Sequence, residues 1–196
     1  MGSIGMGFSM SLDGFVAGPN DEVDRVFRWY FTGDTGHVVS SGNEEFNMSE
    51  DGADLIEGAG KTTGALVTGR RTFDIAKAWG GKHPMDVPVV VVTHRIPQEW
   101  VKEGSPFVFV TDGVEHAVAE AKRIAGDNGI AVGAPSIAQQ CLKAGLIDEI
   151  QIDLVPVLLG QGIRLFDDLG SEPIELECTK ITPGPGVTHL TFRVLK

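Results

Sequence analysis

The chain has 196 residues, 42% of them apolar and 22% charged, enough to bury one sizeable core in a single domain spanning 1–196. A formal charge of -11 and a pI near 4.8 exclude a general nucleic-acid binder, because affinity for a phosphate backbone comes from clustered Lys and Arg. No stretch approaches the roughly 20 apolar residues that span a bilayer, residues 1–17 lack the basic start and apolar run of a signal peptide, and Cys141 and Cys178 lack metal-ligand spacing, so a reduced, cytoplasmic protein without a membrane partner is expected. His37, His83, His94, His116 and His189 never fall at the close pairings of zinc sites, and no metal is expected.

Ile4, Met6, Phe8 and Met10 alternate with small residues and lead into Leu12-Asp13-Gly14, the pattern of a strand ending in a tight turn. Ala17 to Asp21 is strongly turn-forming. Residues 32–64 are rich in Gly, Ser, Thr and acids, with short helical pieces expected at Glu44 to Phe46 and Asp51 to Gly58. Within them Gly58-Ala59-Gly60-Lys61-Thr62-Thr63 imitates a nucleotide-triphosphatase phosphate loop, but the required first glycine falls at Leu55 and a strand follows instead of a helix.

Ala65 to Thr68 is a short apolar run, and Thr72 to Trp79 then places Phe73, Ala76 and Trp79 at helical spacing before Gly80-Gly81. The unbroken Val89 to Val92 suits a strand covered on both faces, and Phe107 to Val110 repeats the theme. Asp112 is placed to cap a helix carrying Glu115 early and Lys122 and Arg123 late. Ile130 to Val132 and Ser136 to Ala144 form another strand and helix, the latter burying Ile137, Cys141 and Leu142. Asp148 to Val157 reads as a long strand, and Ile174 to Ile181 with Val187 to Leu195 as a hairpin. Alternating units and a final hairpin predict a mostly parallel sheet with antiparallel strands at one edge and helices on both faces.

In such a sheet, ligands bind beyond the carboxyl ends of strands, where helix starts attract anions. Three strand ends have suitable residues: Gly69-Arg70-Arg71-Thr72, Thr93-His94-Arg95, and Gly133-Ala134-Pro135-Ser136. Singly, each reads as a strand terminus or a solvated surface; together, in an acidic chain, they indicate a phosphate-bearing ligand.

The order of Ser11-Leu12-Asp13-Gly14, Thr68 to Phe73, Val89 to Arg95, Gly133-Ala134, Gly145-Leu146-Ile147-Asp148-Glu149 and Pro156 to Phe166, with its Leu-Gly-x-Gly segment, resembles the RibD C-terminal domain family. The resemblance covers nearly the whole chain. It implies the dihydrofolate reductase-like three-layer α/β fold and a reductase that binds NADPH through Gly69, Arg70, Arg71, Thr72, Thr93, His94, Arg95, Gly133, Ala134 and Ser136. Arg70, Arg71 and Arg95 would favour the 2′-phosphate of NADPH over NADH. The implied substrate is a small heterocycle, pterin-like or a ribosylaminopyrimidine, and homodimers are common in the family; the strand Ile150 to Leu159 is the expected dimer edge. Two departures stand out: Ala134 replaces a second glycine, to be fitted in a strained turn if that peptide is cis, and Val132 and Trp79 to Asp86 replace an acid and a substrate segment of riboflavin-pathway members.

Asp13 and Asp24 are the candidate catalytic acids; the alternatives are an Asx-turn for Asp13 and a solvated or capping acid for Asp24. Trp29, Tyr30 and Phe31 are a candidate stacking wall, or else core, with Trp29 assigned to the substrate together with Leu159 and Gly160. The rival function is a nucleotide-binding sensor or carrier without turnover; a flavin-using reductase is a third.

Overall fold

The structure is a computed structural model that describes residues 2–33, 38–41 and 44–196, with the backbone alone for 38–41, 44 and 45. Strand β1 (Ile4–Ser11) is followed by the short β2 (Phe15–Ala17), a 3-10 turn at Arg28–Phe31, a hairpin of β3 (Val38–Ser41) and β4 (Glu44–Asn47), and helix α1 (Glu50–Thr62). Then come β5 (Thr63–Gly69), α2 (Arg70–Ile75), β6 (Val89–Val92), β7 (Phe107–Val110), α3 (Val114–Ala125), β8 (Gly129–Val132), α4 (Pro135–Lys143), β9 (Glu149–Val155), β10 (Ile163–Arg164), β11 (Leu176–Gly184) and β12 (Val187–Val194). The main sheet has the order β11-β12-β9-β1-β8-β5-β6-β7. From β9 to β7 all pairings are parallel, while β12 runs antiparallel to β9 and to β11, as the alternation and final hairpin predict.

One face of the sheet carries the larger core. Ile4 and Met6 of β1, Val67 of β5, Val90 of β6 and Ile150 and Ile152 of β9 meet Val114, Ala117, Val118 and Ala121 of α3 and Ile137, Cys141 and Leu142 of α4. The buried positions of α3 recur every three to four residues, so one stripe of that helix covers the sheet. Each such aliphatic side chain contributes about 1.5–3 kcal/mol of burial. On the opposite face, Phe73 makes edge-on ring contacts with Trp79, Trp100, Phe107 and Phe109 at 5.1–6.2 Å. Nearer the C-terminal hairpin, Trp29, Met48, Ala53, Val155 and Val187 form a third cluster. Between these two clusters, among the described residues, the sheet is left uncovered and borders a cleft.

Several local expectations are corrected. Glu44 to Phe46 lies in an antiparallel pair with β3, not a helix, whereas the helix expected over Asp51 to Gly58 runs longer, started by Ser49, whose hydroxyl accepts from Gly52 N–H at 3.3 Å. The parts of that stretch at 34–37 and 42–43 lie outside the described residues. The helix expected to Trp79 ends at Ile75, and Lys77, Ala78 and Trp79 take φ values of 49–51°. The resulting turn brings the Trp79 ring onto Phe73 and His83, so aromatic packing overrides helical spacing. Asp112 does not cap α3: Gly113, at φ 103°, is the N-cap, and Asp112 pairs with His116 at 2.5 Å. Finally, β9 lies between β1 and β12, so its backbone is paired on both sides and it cannot form the expected dimer edge; the free edges are β11 and β7.

Candidate active site

A cleft of about 1590 Å³ opens on the uncovered face. One end is made by the carboxyl ends of the neighbouring strands β5, β6 and β8, where Gly69, Arg70, Arg71, Thr72, Thr93, His94, Arg95, Gly133 and Ser136 line it together. The close approach is built in by glycines. A Cβ on Gly69 would sit 3.2 Å from Ile137 Cγ1, and one on Gly133 would sit 3.0 Å from Leu66 Cδ1. Ala134 is the buried N-cap of α4, its side chain makes no capping hydrogen bond, and the Gly133–Ala134 peptide is trans.

The three arginines are not equivalent. Arg70 is committed to the scaffold, with Nε donating to both oxygens of Asp74 (2.7 and 2.9 Å) and Nη1 to the Arg95 carbonyl (2.9 Å). The Thr93 hydroxyl donates to that same carbonyl at 2.9 Å, so the ends of β6 and β5 are tied to one another. Arg71 crosses to the first loop, where Nη2 donates to Asp21 Oδ2 at 2.7 Å and Nε to Oδ1 at 3.2 Å. Among the described residues the guanidinium of Arg95 has no partner. It is exposed, and it is the cation most available to an anionic ligand.

The other end of the cleft passes over β1 and β9. Here β1 presents Gly5, Gly7 and Ser9, and a Cβ on either glycine would come no closer than 3.8 Å to any atom, which leaves a bare platform. Opposite them in register, Glu149, Gln151 and Asp153 make the floor polar. Asp153 Oδ1 lies 2.7 Å from Nδ1 of His189 on β12, and Gln151 Nε2 donates to it at 3.2 Å. Asp153 and His189 are only 3% and 2% exposed. Ser9 accepts from Trp29 Nε1 at 2.9 Å, and Trp29 stacks beneath Tyr30 with ring centroids 4.2 Å apart. Tyr30 thus reaches the cleft wall while Trp29 is core. Burial pushes the Tyr30 phenol well above its ordinary value, the Asp153 carboxylate adds to this, and the Ser9 hydrogen bond opposes it. Along the side wall, burial pushes His83 down to about 4, so its imidazole is neutral at neutral pH.

A family model for the RibD C-terminal domain matches residues 3–190. The chain belongs to the RibD C-terminal domain family. YwjB of Bacillus subtilis strain 168, an uncharacterised relative, is 25% identical over 173 residues, 88% of this chain and 87% of that protein. A protein provisionally assigned to riboflavin biosynthesis in Shewanella sp. PV-4 superposes with a TM-score of 0.73 at 23% identity over the whole of both chains. The dihydrofolate reductase of Enterococcus faecalis, solved with NADP(H), superposes with a TM-score of 0.61 at 14% identity, covering 99% of this chain and 97% of that one. The fold is therefore the dihydrofolate reductase-like fold of the RibD reductases.

Within this RibD-family chain the other expected site residues lie outside the cleft lining. Asp13 Oδ1 accepts from the Ser11 hydroxyl (2.6 Å) and Leu159 N–H (3.1 Å), and Oδ2 accepts from Gly160 N–H (2.7 Å). The Ser11 hydroxyl above all, with the Gly160 and Leu159 amides, holds the Asp13 carboxyl at about 2. Asp13, Leu159 and Gly160 thus form a clasp between the first turn and the Leu-Gly-x-Gly segment. Gly162 presses that segment against β2: at φ 143°, its Cβ would fall 2.0 Å from the Ala17 carbonyl oxygen. Asp24 is exposed and, unlike its neighbour Val23, is not part of the cleft lining. Of the three rings expected as a stacking wall only Tyr30 lines the cleft, and Ser9, Asp153 and His189 are not among the residues that the sequence singles out for the site. A signal existed in the alternate polar positions Glu149, Gln151 and Asp153 of a strand that is otherwise apolar.

Proposed function

We propose that the chain is an NADPH-dependent reductase that passes a hydride to a small planar heterocycle, pterin-like or a ribosylaminopyrimidine. The observation that carries this reading is one continuous cleft joining three cationic or amide-rich strand ends to a bare, polar stretch of sheet. Phosphates would meet the backbone N–H groups at the start of α4, the Thr72 and Ser136 hydroxyls, and the guanidinium of Arg95. Arg95, exposed beside His94, suits the extra 2′-phosphate that separates NADPH from NADH. Bound there, the dinucleotide supplies the hydride. Gly5 and Gly7 let a flat ring lie against β1, while Tyr30 flanks it. Arg71 would exchange Asp21 for a phosphate oxygen, since both residues face the cleft.

The deciding experiment is titration of the purified protein with NADPH while following energy transfer from its tryptophans. Saturable transfer, tighter for NADPH than for NADH, is expected. Its absence at millimolar cofactor overturns the proposal. The engagement of Asp13 in the clasp and the position of Asp24 favour a second reading, a nucleotide carrier or sensor without turnover. Steady-state oxidation of NADPH with reduced and oxidised pterins and with the ribosylaminopyrimidine of riboflavin formation separates the two, because binding without turnover across that panel supports the carrier.

A further inference from the structure

Asp153 and His189 come from strands far apart in the chain, yet face one another across β9 and β12 with side chains 5% and 2% exposed. Burying a carboxyl and an imidazole together is costly to desolvate and is poor evidence of a stabilising role. This pair also lies at a working surface. Asp153 lines the cleft beside Ser9 and Tyr30, on the part of the floor where Gly5 and Gly7 leave room for a flat ring. Its Oδ1 is engaged by His189 and Gln151, and its Oδ2 has no partner among the described residues. His189 Nε2 is buried beside Gly184 without a partner among the described residues. The pair therefore meets the cleft only through Asp153.

We propose that Asp153, oriented by His189, is the proton donor of the cleft; the inference rests on the reductase reading above. Adding a hydride to the carbon of a C=N bond drives the π electron pair onto the nitrogen, which must take up a proton. Other carboxylates line the cleft, but Asp21 is paired with Arg71, and Asp54, Asp127 and Glu149 are exposed to water. Asp153 is the buried one. As the substrate carbon gains a hydrogen and two electrons and the dihydronicotinamide is oxidised, the Asp153 Oδ2–H bond breaks and an N–H bond forms on the substrate. The carboxylate left behind is held by hydrogen bonds from His189 Nδ1–H and Gln151 Nε2–H. Solvent reloads the pair after product leaves. Asp153 is the catalytic residue in this scheme, and His189 positions it.

The test uses the full chain, ring-15N-histidine-labelled, with unsubstituted pterin as the binding probe and 7,8-dihydropterin with NADPH as the reaction. In the wild type, pterin is expected to shift the His189 ring nitrogens, assigned with His189→Gln. In Asp153→Asn the amide oxygen still accepts from His189 Nδ1–H, so the fold is kept and NADPH affinity stays within about twofold, while the pterin-induced shift is lost and kcat falls roughly 100-fold. His189→Gln is expected to lower kcat about tenfold with little change in the KM for NADPH. If dihydropterin is not turned over, the histidine signal decides alone. Millimolar pterin that leaves His189 unmoved, or a folded Asp153→Asn with unchanged kcat, overturns the inference. A silent His189 alongside normal NADPH binding sinks this inference only, whereas loss of NADPH binding with a responsive His189 sinks the reductase reading.

Discussion

Where the cleft meets the ends of β5, β6 and β8, its wall is exposed and cationic, with His94 and Arg95 on turns open to water. Over β1 and β9 its floor is buried and acidic, with Asp153 held by His189 inside the sheet. A charge at the first end gains by exchanging water or a weak partner for a phosphate, so its effects belong to binding. An ionisable group at the second end has already lost its water, so its effects reach stability and chemistry together.

The strongest way to break this contrast is His189→Leu. With its buried partner gone, the Asp153 carboxyl loses a hydrogen bond inside the sheet and Trp29 loses a ring contact at 5.0 Å, and the free energy of urea unfolding should fall by about 2–4 kcal/mol. NADPH affinity should barely change, because His189 is remote from the strand-end turns. A drop below about 1 kcal/mol would mean that the floor is as wet as the far wall.

The next test is pH. His83 is held at about 4 in the folded chain against 6.5 for the free side chain, so the unfolded state binds more protons between these values. Stability from this residue is present above pH 6.5 and is lost as pH falls through that window towards 4. His83→Gln should remove that part of the slope, on the order of a few kcal/mol, in denaturation curves collected across the window. An unchanged slope would place His83 in solvent.

At the exposed end, Arg95→Ala should cost one charge-assisted contact, about 1.5–3 kcal/mol or roughly 10- to 100-fold in NADPH affinity, with NADH binding and thermal stability unchanged. Equal losses for the two dinucleotides would move the 2′-phosphate elsewhere. The smallest effect belongs to Asp21→Asn. Its ion pair with Arg71 leaves the arginine 70% exposed, so removing it should shift unfolding by less than about 1 kcal/mol. NADPH should bind equally well or slightly better, since Arg71 is released towards the cleft.

These two ends were not equally legible in the sequence. The turns at Gly69, Thr93 and Gly133 announce themselves, because each is a local event: an apolar run stops, a glycine or hydroxyl follows, and a helix or a new strand begins. Asp13 was legible as a turn residue, but its partners Leu159 and Gly160 lie 146 and 147 positions away, and so its clasp was not. Trp29 illustrates the same limit. Its aromatic neighbours suggest a stacking wall, and only the hydrogen bond to Ser9 and the stack with Tyr30 decide which ring is core and which faces the cleft.

The sequence by itself determined the alternation of strand and helix, the closing hairpin, the family and the cationic turns, because periodicity and turn chemistry act over a few residues. Sheet order was decided by tertiary structure, which put β9 inside instead of at an edge. So was the union of Asp153 with His189, 36 positions apart. Burial, and with it the reactivity of an ionisable group, depends on what the register of neighbouring strands brings alongside, and no local pattern specifies that.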